Sequence, residues 1–260
     1  MPEFTSYLPG TPCWTDVTST NLPRAVEFYT GLFGWEAQVA PEPEAGGYTM
    51  FTLHGKNVAA GSPPIADAAA SYWTTYIASD DVDATAEKIR GAGGTVLMDP
   101  FDVFDAGRMT IATDPSGAHF GVWQAGRHIG AQLANDPGTM NWNECQTRDA
   151  EAAARFYEAV FGVEVKAFPA AEGMPPYNVI HVDGRGVAGI FEINERMGDT
   201  PPNWSTIFAV ADHDAGVATA RELGGTVLAE GMDLPEIGRL AVLQDPTGAV
   251  FQILQPPPES

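Results

Sequence analysis

The stretch GRMTIATDPSGAHFGVWQ, residues 107–124, is written again as GRLAVLQDPTGAVFQILQ at residues 238–255. An internal repeat of this kind constrains a fold strongly, because both copies must build the same supersecondary unit. It also reaches well beyond the hairpin. Trp14 returns as Trp142, Phe28-Tyr29 as Phe156-Tyr157 and Phe33-Gly34 as Phe161-Gly162, each at an offset of 128. Further on the offset is 131. Trp73 returns as Trp204, GGTVL at 93–97 as 224–228, Gly107-Arg108 as Gly238-Arg239, and Asp114-Pro115 as Asp245-Pro246. The slip of three residues falls between Gly34 and Trp73, in hairpin territory where insertions are tolerated. The chain therefore divides into two copies of one module, residues 1–132 and 133–260, with 125–139 as the linker.

Each half is itself written in two parts. CWTDVTS alternates like a strand, and Asn21 with Pro23 starts a helix. Val26, Phe28, Tyr29, Leu32 and Phe33 give that helix an apolar stripe, which Gly34 ends. Short strands at 48–53 and 58–60 flank a turn at 54–57. A second unit follows, with a strand at 73–78, a helix at 82–91, a strand at 95–97 and the closing hairpin. The pattern predicts two strand–helix–three-strand units per half and four in the chain.

Hydrophobic residues make up 44% of the 260, enough for a packed core, and no apolar run approaches the ~18 residues of a membrane span. The start, MPEFTSYLPGTPCW, has neither the basic flank nor the apolar segment of a signal peptide. The two cysteines, Cys13 and Cys145, lie beside apolar strands and read as buried thiols in a reducing cytoplasm. A net charge of −21 argues against nucleic acid and anionic membranes, both of which need a basic face. No phosphate-binding Gly-rich loop and no Gly-x-Ser-x-Gly elbow is present.

Three signatures carry a family resemblance over nearly the whole chain. They are RAVEFYTGLFG and AARFYEAVFG for the first helix, SDDVDATAEKIRGAGG and ADHDAGVATARELGG for the second, and TDPSGAHFGVW and QDPTGAVFQIL for the closing hairpin. The chain resembles the vicinal oxygen chelate superfamily, also called the glyoxalase/bleomycin-resistance/dioxygenase fold. The resemblance implies an α+β fold of tandem glyoxalase-like modules, each of two βαβββ units whose mixed sheets curl into a cup. It also implies a divalent metal in the cup, held by His, Glu or Gln from the first strand, the strand opening the second unit and the last strand of the hairpin.

Placed on this sequence, those ligand positions fall on Trp14 and Trp142, on Thr74 and Ser205, and on Gly121 and Gln252. An indole offers no lone pair, hydroxyls are weak ligands, and one neutral amide does not hold a divalent ion. The five histidines avoid these positions: His54 sits in a turn, His128 in the linker, His119 and His181 on strands, and His213 at a helix start. No metal or other cofactor is expected, and a carboxylate-built metal site remains the minor alternative.

A period of two puts Asp16 on the face of Trp14 and Glu144 on the face of Trp142. Trp14, Trp142, Trp73, Trp204, Trp123 and Gln252 are the candidate ligand-binding residues, with Trp73 and Trp204 expected at the cup rims. Asp16 and Glu144 are the candidate catalytic carboxylates. Arg108 and Arg239 are expected to pair with Asp16 and Glu144; the functional alternative is a clamp for an anionic ligand group. Gly121, opposite Gln252, leaves the first cup roomier. His119, His181 and Glu192 are further acid/base candidates, and the Pro-rich segments SPPIAD, MPPYN and TPPNW are expected to border the cup entrances. Three functions compete: binding of a small organic molecule without metal, a glyoxalase-like lyase or isomerase, and a protein-interaction role with degenerate cups. Homodimerisation stays open.

Overall fold

The computed structural model describes residues 3–64, 70–169 and 176–257. SPPIAD and MPPYN therefore lie partly outside the described residues. The first module runs β1 (Pro12–Thr18), α1 (Leu22–Phe33), β2 (Glu36–Val39), β3 (Thr49–Leu53), β4 (Lys56–Ser62), β5 (Tyr72–Ala78), α2 (Val82–Gly91), β6 (Thr95–Val103), β7 (Gly107–Thr113) and β8 (His119–Ala125). The second repeats it as β9 (Met140–Thr147), α3 (Ala150–Phe161), β10 (Glu164–Phe168), β11 (Tyr177–Val182), β12 (Arg185–Glu192), β13 (Asn203–Ala209), α4 (His213–Glu222), β14 (Thr226–Leu234), β15 (Gly238–Gln244) and β16 (Val250–Gln255). Each module makes one open eight-stranded mixed sheet, ordered β2-β3-β4-β1-β5-β8-β7-β6 and β10-β11-β12-β9-β13-β16-β15-β14. β1 and β5 meet antiparallel at the seam of the two units. None of the described helices is long and apolar enough to cross a membrane.

The helix signals act as read. The Asn21 side chain accepts from the Arg24 N–H, and Gly34 turns left-handed at the end of α1 with its N–H on the Thr30 carbonyl. β2 has no counterpart among the strands read from the sequence. All four of its residues are exposed, so no apolar alternation marks it.

The helix-bearing faces of the two sheets pack against each other. Phe28, Tyr29 and Phe33 of α1 meet Phe251 and Phe208 of the other module, while Phe156, Tyr157 and Phe161 of α3 meet Phe120 of the first. The repeated Asp-Pro turns lock this contact. Asp114 Oδ1 accepts from the N–H and hydroxyl of Ser116 and the N–H of Ala118, fixing its own turn. Its Oδ2 accepts the Tyr157 hydroxyl of the other module at 3.1 Å. Asp245 does the same with Thr247, Ala249 and Tyr29. At the centre the Thr15 and Thr206 hydroxyls lie 2.9 Å apart, and Thr75 donates to Asn143 Oδ1 at 2.9 Å. These buried polar groups are thus paired across the interface, as burial requires.

Candidate functional site

The face of each sheet turned away from the helices is the cup. In the first module Trp14 and Asp16 share that face, as their spacing requires, and Thr74, Tyr76, His119, Gly121 and Trp123 join them from β5 and β8. The Trp14 indole donates to the Tyr48 hydroxyl at 3.0 Å, which donates to Asp16 Oδ2 at 3.2 Å. Tyr76 donates to the same oxygen at 3.0 Å. Asp16 is 5% exposed, and burial pushes its carboxyl up to about 7, against the opposing pull of the two phenols.

The second cup repeats the chain with different neighbours. The Trp142 indole donates to the Tyr177 hydroxyl at 2.8 Å, and Tyr177 donates to Glu144 Oε2 at 3.2 Å. Two amides then fill the other oxygen: Gln146 and Gln252 donate to Glu144 Oε1 at 2.8 and 3.1 Å. Gln252 also donates to the Ser205 hydroxyl at 2.8 Å. Ile207, Leu240 and Leu254 pack with Trp142 to form an apolar wall beside this cluster.

Four candidates lie elsewhere. Trp73 and Trp204 do not rim the cups. They point to the helix side, are 5% and 4% exposed, and donate to the Tyr29 and Tyr157 hydroxyls at 2.8 Å. Arg108 does not pair with Asp16, nor Arg239 with Glu144. Arg108 alternates with Met109 and so lies on the opposite sheet face, where Asp83 in the first turn of α2 and Asp102 on β6 take its guanidinium. Arg239 is held in the same way by Asp214 at 2.9 Å, with Asp233 at 3.7 Å. Both arginines brace a helix start and are not aimed into a cup.

Gly121 does not make the first cup roomier. The Tyr76 ring fills the space, and a Cβ at 121 would collide with it. The same relation holds between Gly189 and the Tyr177 hydroxyl. Trp123 faces the first cup and donates its indole N–H to the His128 carbonyl at 2.8 Å. The His128 ring lies edge-on to Trp14 at 4.5 Å, so the linker covers part of this cup, and burial lowers its imidazole to about 4.

Tyr48, Tyr76, Tyr177 and Gln146 are cup residues that the sequence reading passed over. Period-two alternation from Thr74 would have found Tyr76, and the step from Glu144 would have found Gln146. His119 faces the first cup with a buried Nδ1 that finds no partner among the described residues, and His181 lies on β11, where its Nδ1 is 3.0 Å from the Val179 carbonyl. Glu192 ends β12 in an exposed position.

The donor set does not fit a divalent cation. Among the described residues no three His, Cys, Asp or Glu side chains converge. In the second cup the implied metal positions hold an indole, a hydroxyl and an amide (Trp142, Ser205 and Gln252), and the oxygens of the neighbouring Glu144 carboxylate are taken by N–H and O–H donors. The first offers a single carboxylate, with an aromatic ring over Gly121.

Comparison with known proteins gives consistent matches. Residues 13–122 match the model of the Glyoxalase/Bleomycin resistance protein/Dioxygenase superfamily, and residues 142–254 match a glyoxalase-like domain. A Mycobacterium tuberculosis protein named "Putative glyoxylase CFP32" is 45% identical over 270 aligned positions, covering 100% of both chains. The "Anthracycline biosynthesis protein DnrV" of Streptomyces peucetius is 40% identical, over 97% of this chain and 95% of its own. Among solved structures, the Mn(II)-bound glyoxalase from Novosphingobium aromaticivorans superposes with a TM-score of 0.66 at 15% identity, covering 95% of this chain and 82% of that one. The 2,2',3-trihydroxybiphenyl 1,2-dioxygenase of Sphingomonas wittichii gives 0.66 at 13% identity, over 95% and 91%. These structural likenesses speak to the fold alone.

Proposed function

The chain belongs to the Glyoxalase/Bleomycin resistance protein/Dioxygenase superfamily, and we propose that it uses its cups to bind small organic molecules without the family's divalent metal. One observation carries this reading. In each module a Trp–Tyr–carboxylate chain of hydrogen bonds lies on the cup, starting from the Trp that stands at the first-strand ligand position the resemblance implies. A buried carboxylate costs folding free energy, and hydrogen bonds from phenols and amides make that tolerable in a ligand site. Aromatic walls with a few placed polar groups are the usual make-up of a small-molecule pocket. The Streptomyces relative's name, from anthracycline biosynthesis, is in keeping with such a role. The two unpaired, buried thiols suit a cytoplasmic setting.

The test is tryptophan fluorescence quenching, in the presence of chelator, across a panel of metabolites and antibiotics. Saturable quenching that is lost in Trp14→Phe or Trp142→Phe supports the reading. No saturable quenching by any compound, or binding that needs added metal, contradicts it. A second reading rests on Asp16. A carboxyl raised to about 7 is poised for general acid–base work, as a glyoxalase-like lyase or isomerase would require. Turnover that follows a pH profile with an inflection near 7 and is abolished in Asp16→Asn would favour it over binding alone.

A further inference from the structure

We infer that the cup of the first module is a site for a small organic cation, with Asp16 as its counter-ion and the surrounding rings as its walls. The inference rests on the reading of the cups as small-molecule sites and adds the ligand class for one of them. Asp16 Oδ2 accepts both phenols, whereas Oδ1 takes no hydrogen bond found among the described residues. The groups around it are Tyr48 beside β3, Ala60 on β4, and Thr74 and Tyr76 on β5, with His119 on β8 two residues before Gly121, the partner of Tyr76. None of them is cationic at neutral pH, since burial holds the His119 imidazole below its usual range. The basic side chains of this module that could be looked to are committed elsewhere: Arg108 to Asp83 and Asp102 across the sheet, Lys56 to Glu3, and Arg127, next to His128, to Asp105. Among the described residues the Asp16 carboxylate therefore has no counter-ion.

Its walls are aromatic. Tyr48 and Tyr76 donate to Asp16, Trp14 reaches it through the Tyr48 hydroxyl, and the half-exposed Tyr72 has its ring 5.5 Å from His119. Faces of Trp and Tyr attract ammonium groups, most strongly where water is excluded. A chain of net charge −21 also draws cations towards it and repels anions. The second cup differs at the same place. Glu144 has donors on both oxygens, two of them amides that the first module lacks. That cup is left with no vacant carboxylate oxygen for an ammonium group, and the inference does not extend to it.

Isothermal titration of the full chain with choline and with its neutral isostere 3,3-dimethylbutan-1-ol tests this. Choline is expected to bind one site per chain, at least tenfold tighter than the isostere. Affinity should rise about tenfold from pH 6 to pH 8, because Asp16 must be ionised to hold the cation. Asp16→Asn should abolish choline binding and Glu144→Gln should leave it intact, with thermal melts showing both variants folded. Equal binding of the isostere overturns the cation inference while leaving the small-molecule reading standing. Binding of neither probe, or loss of choline binding in Glu144→Gln but not in Asp16→Asn, also overturns it. The fluorescence panel fails or succeeds independently of all three.

Discussion

Asp16→Asn should make the protein more stable at pH 8 and change little at acid pH. The folded state raises the Asp16 carboxyl from its ordinary 3.8 to about 7, so between those values the folded chain keeps a proton that the unfolded chain has released. Stability contributed by this group is therefore present at low pH and is lost as pH rises through that window. A gap of about 3 pH units corresponds to roughly 4 kcal/mol carried as strain above pH 7. Between pH 5.5 and pH 8 the share lost is roughly 2 kcal/mol. Asparagine keeps an oxygen for Tyr48 and Tyr76 and has nothing to ionise. Urea unfolding at the two pH values, followed by tryptophan fluorescence and circular dichroism, should show the variant's advantage growing by that roughly 2 kcal/mol. In thermal melts this is about 4–8 °C for a chain of this size. All other titrating groups are shared and cancel in the difference. Parallel pH profiles for the two proteins would refute the claim that Asp16 is buried without a counter-ion.

Tyr29→Phe leaves Asp245 Oδ2 and the Trp73 indole N–H without a partner at the module interface, and Tyr157→Phe strips the Trp204 indole N–H of its acceptor and leaves Asp114 Oδ2 only the Cys145 thiol; each should cost about 1–3 kcal/mol in urea unfolding. Gly121→Ala drives a methyl into the Tyr76 ring and should destabilise by about 1–3 kcal/mol, with part recovered in the double variant carrying Tyr76→Ala, as read by thermal melts. Arg108→Ala should shift the urea midpoint little, since its ion pairs are with exposed acids, and should leave ligand quenching unchanged. Gln252→Ala removes one amide donor from Glu144 and should weaken any ligand that quenches Trp142 without affecting one that quenches Trp14.

The repeat and the Asp-Pro register made most of the fold legible, because each unit's helix carries an apolar stripe and each hairpin a fixed turn. β2 was not legible, having no buried residue to betray it. Period two placed Asp16 beside Trp14 correctly, but the same rule applied to Arg108 and Trp73 would have turned both away from the cup. Adjacent residues on a strand face opposite ways, so Trp73 turns from the cup that Thr74 faces, and Arg108 from the cup that Met109 faces. The hydrogen bonds that define the site run from Tyr48 and Tyr177, which lie over 30 residues from the acids they serve. No local pattern announces such a pairing. Nor could the sequence show that Gly121 is small to admit Tyr76 from a neighbouring strand.

Elemental analysis bears most directly on the central claim, that the cups hold hydrogen-bonded Trp–Tyr–carboxylate clusters and no divalent metal. The purified chain would be equilibrated with Mn, Fe, Ni and Zn, dialysed, and measured by mass spectrometry beside Asp16→Asn and Glu144→Gln. The expected result is well below one metal per chain in all three proteins. One Mn, Fe, Ni or Zn per wild-type chain, surviving dialysis and lost in either variant, would contradict it.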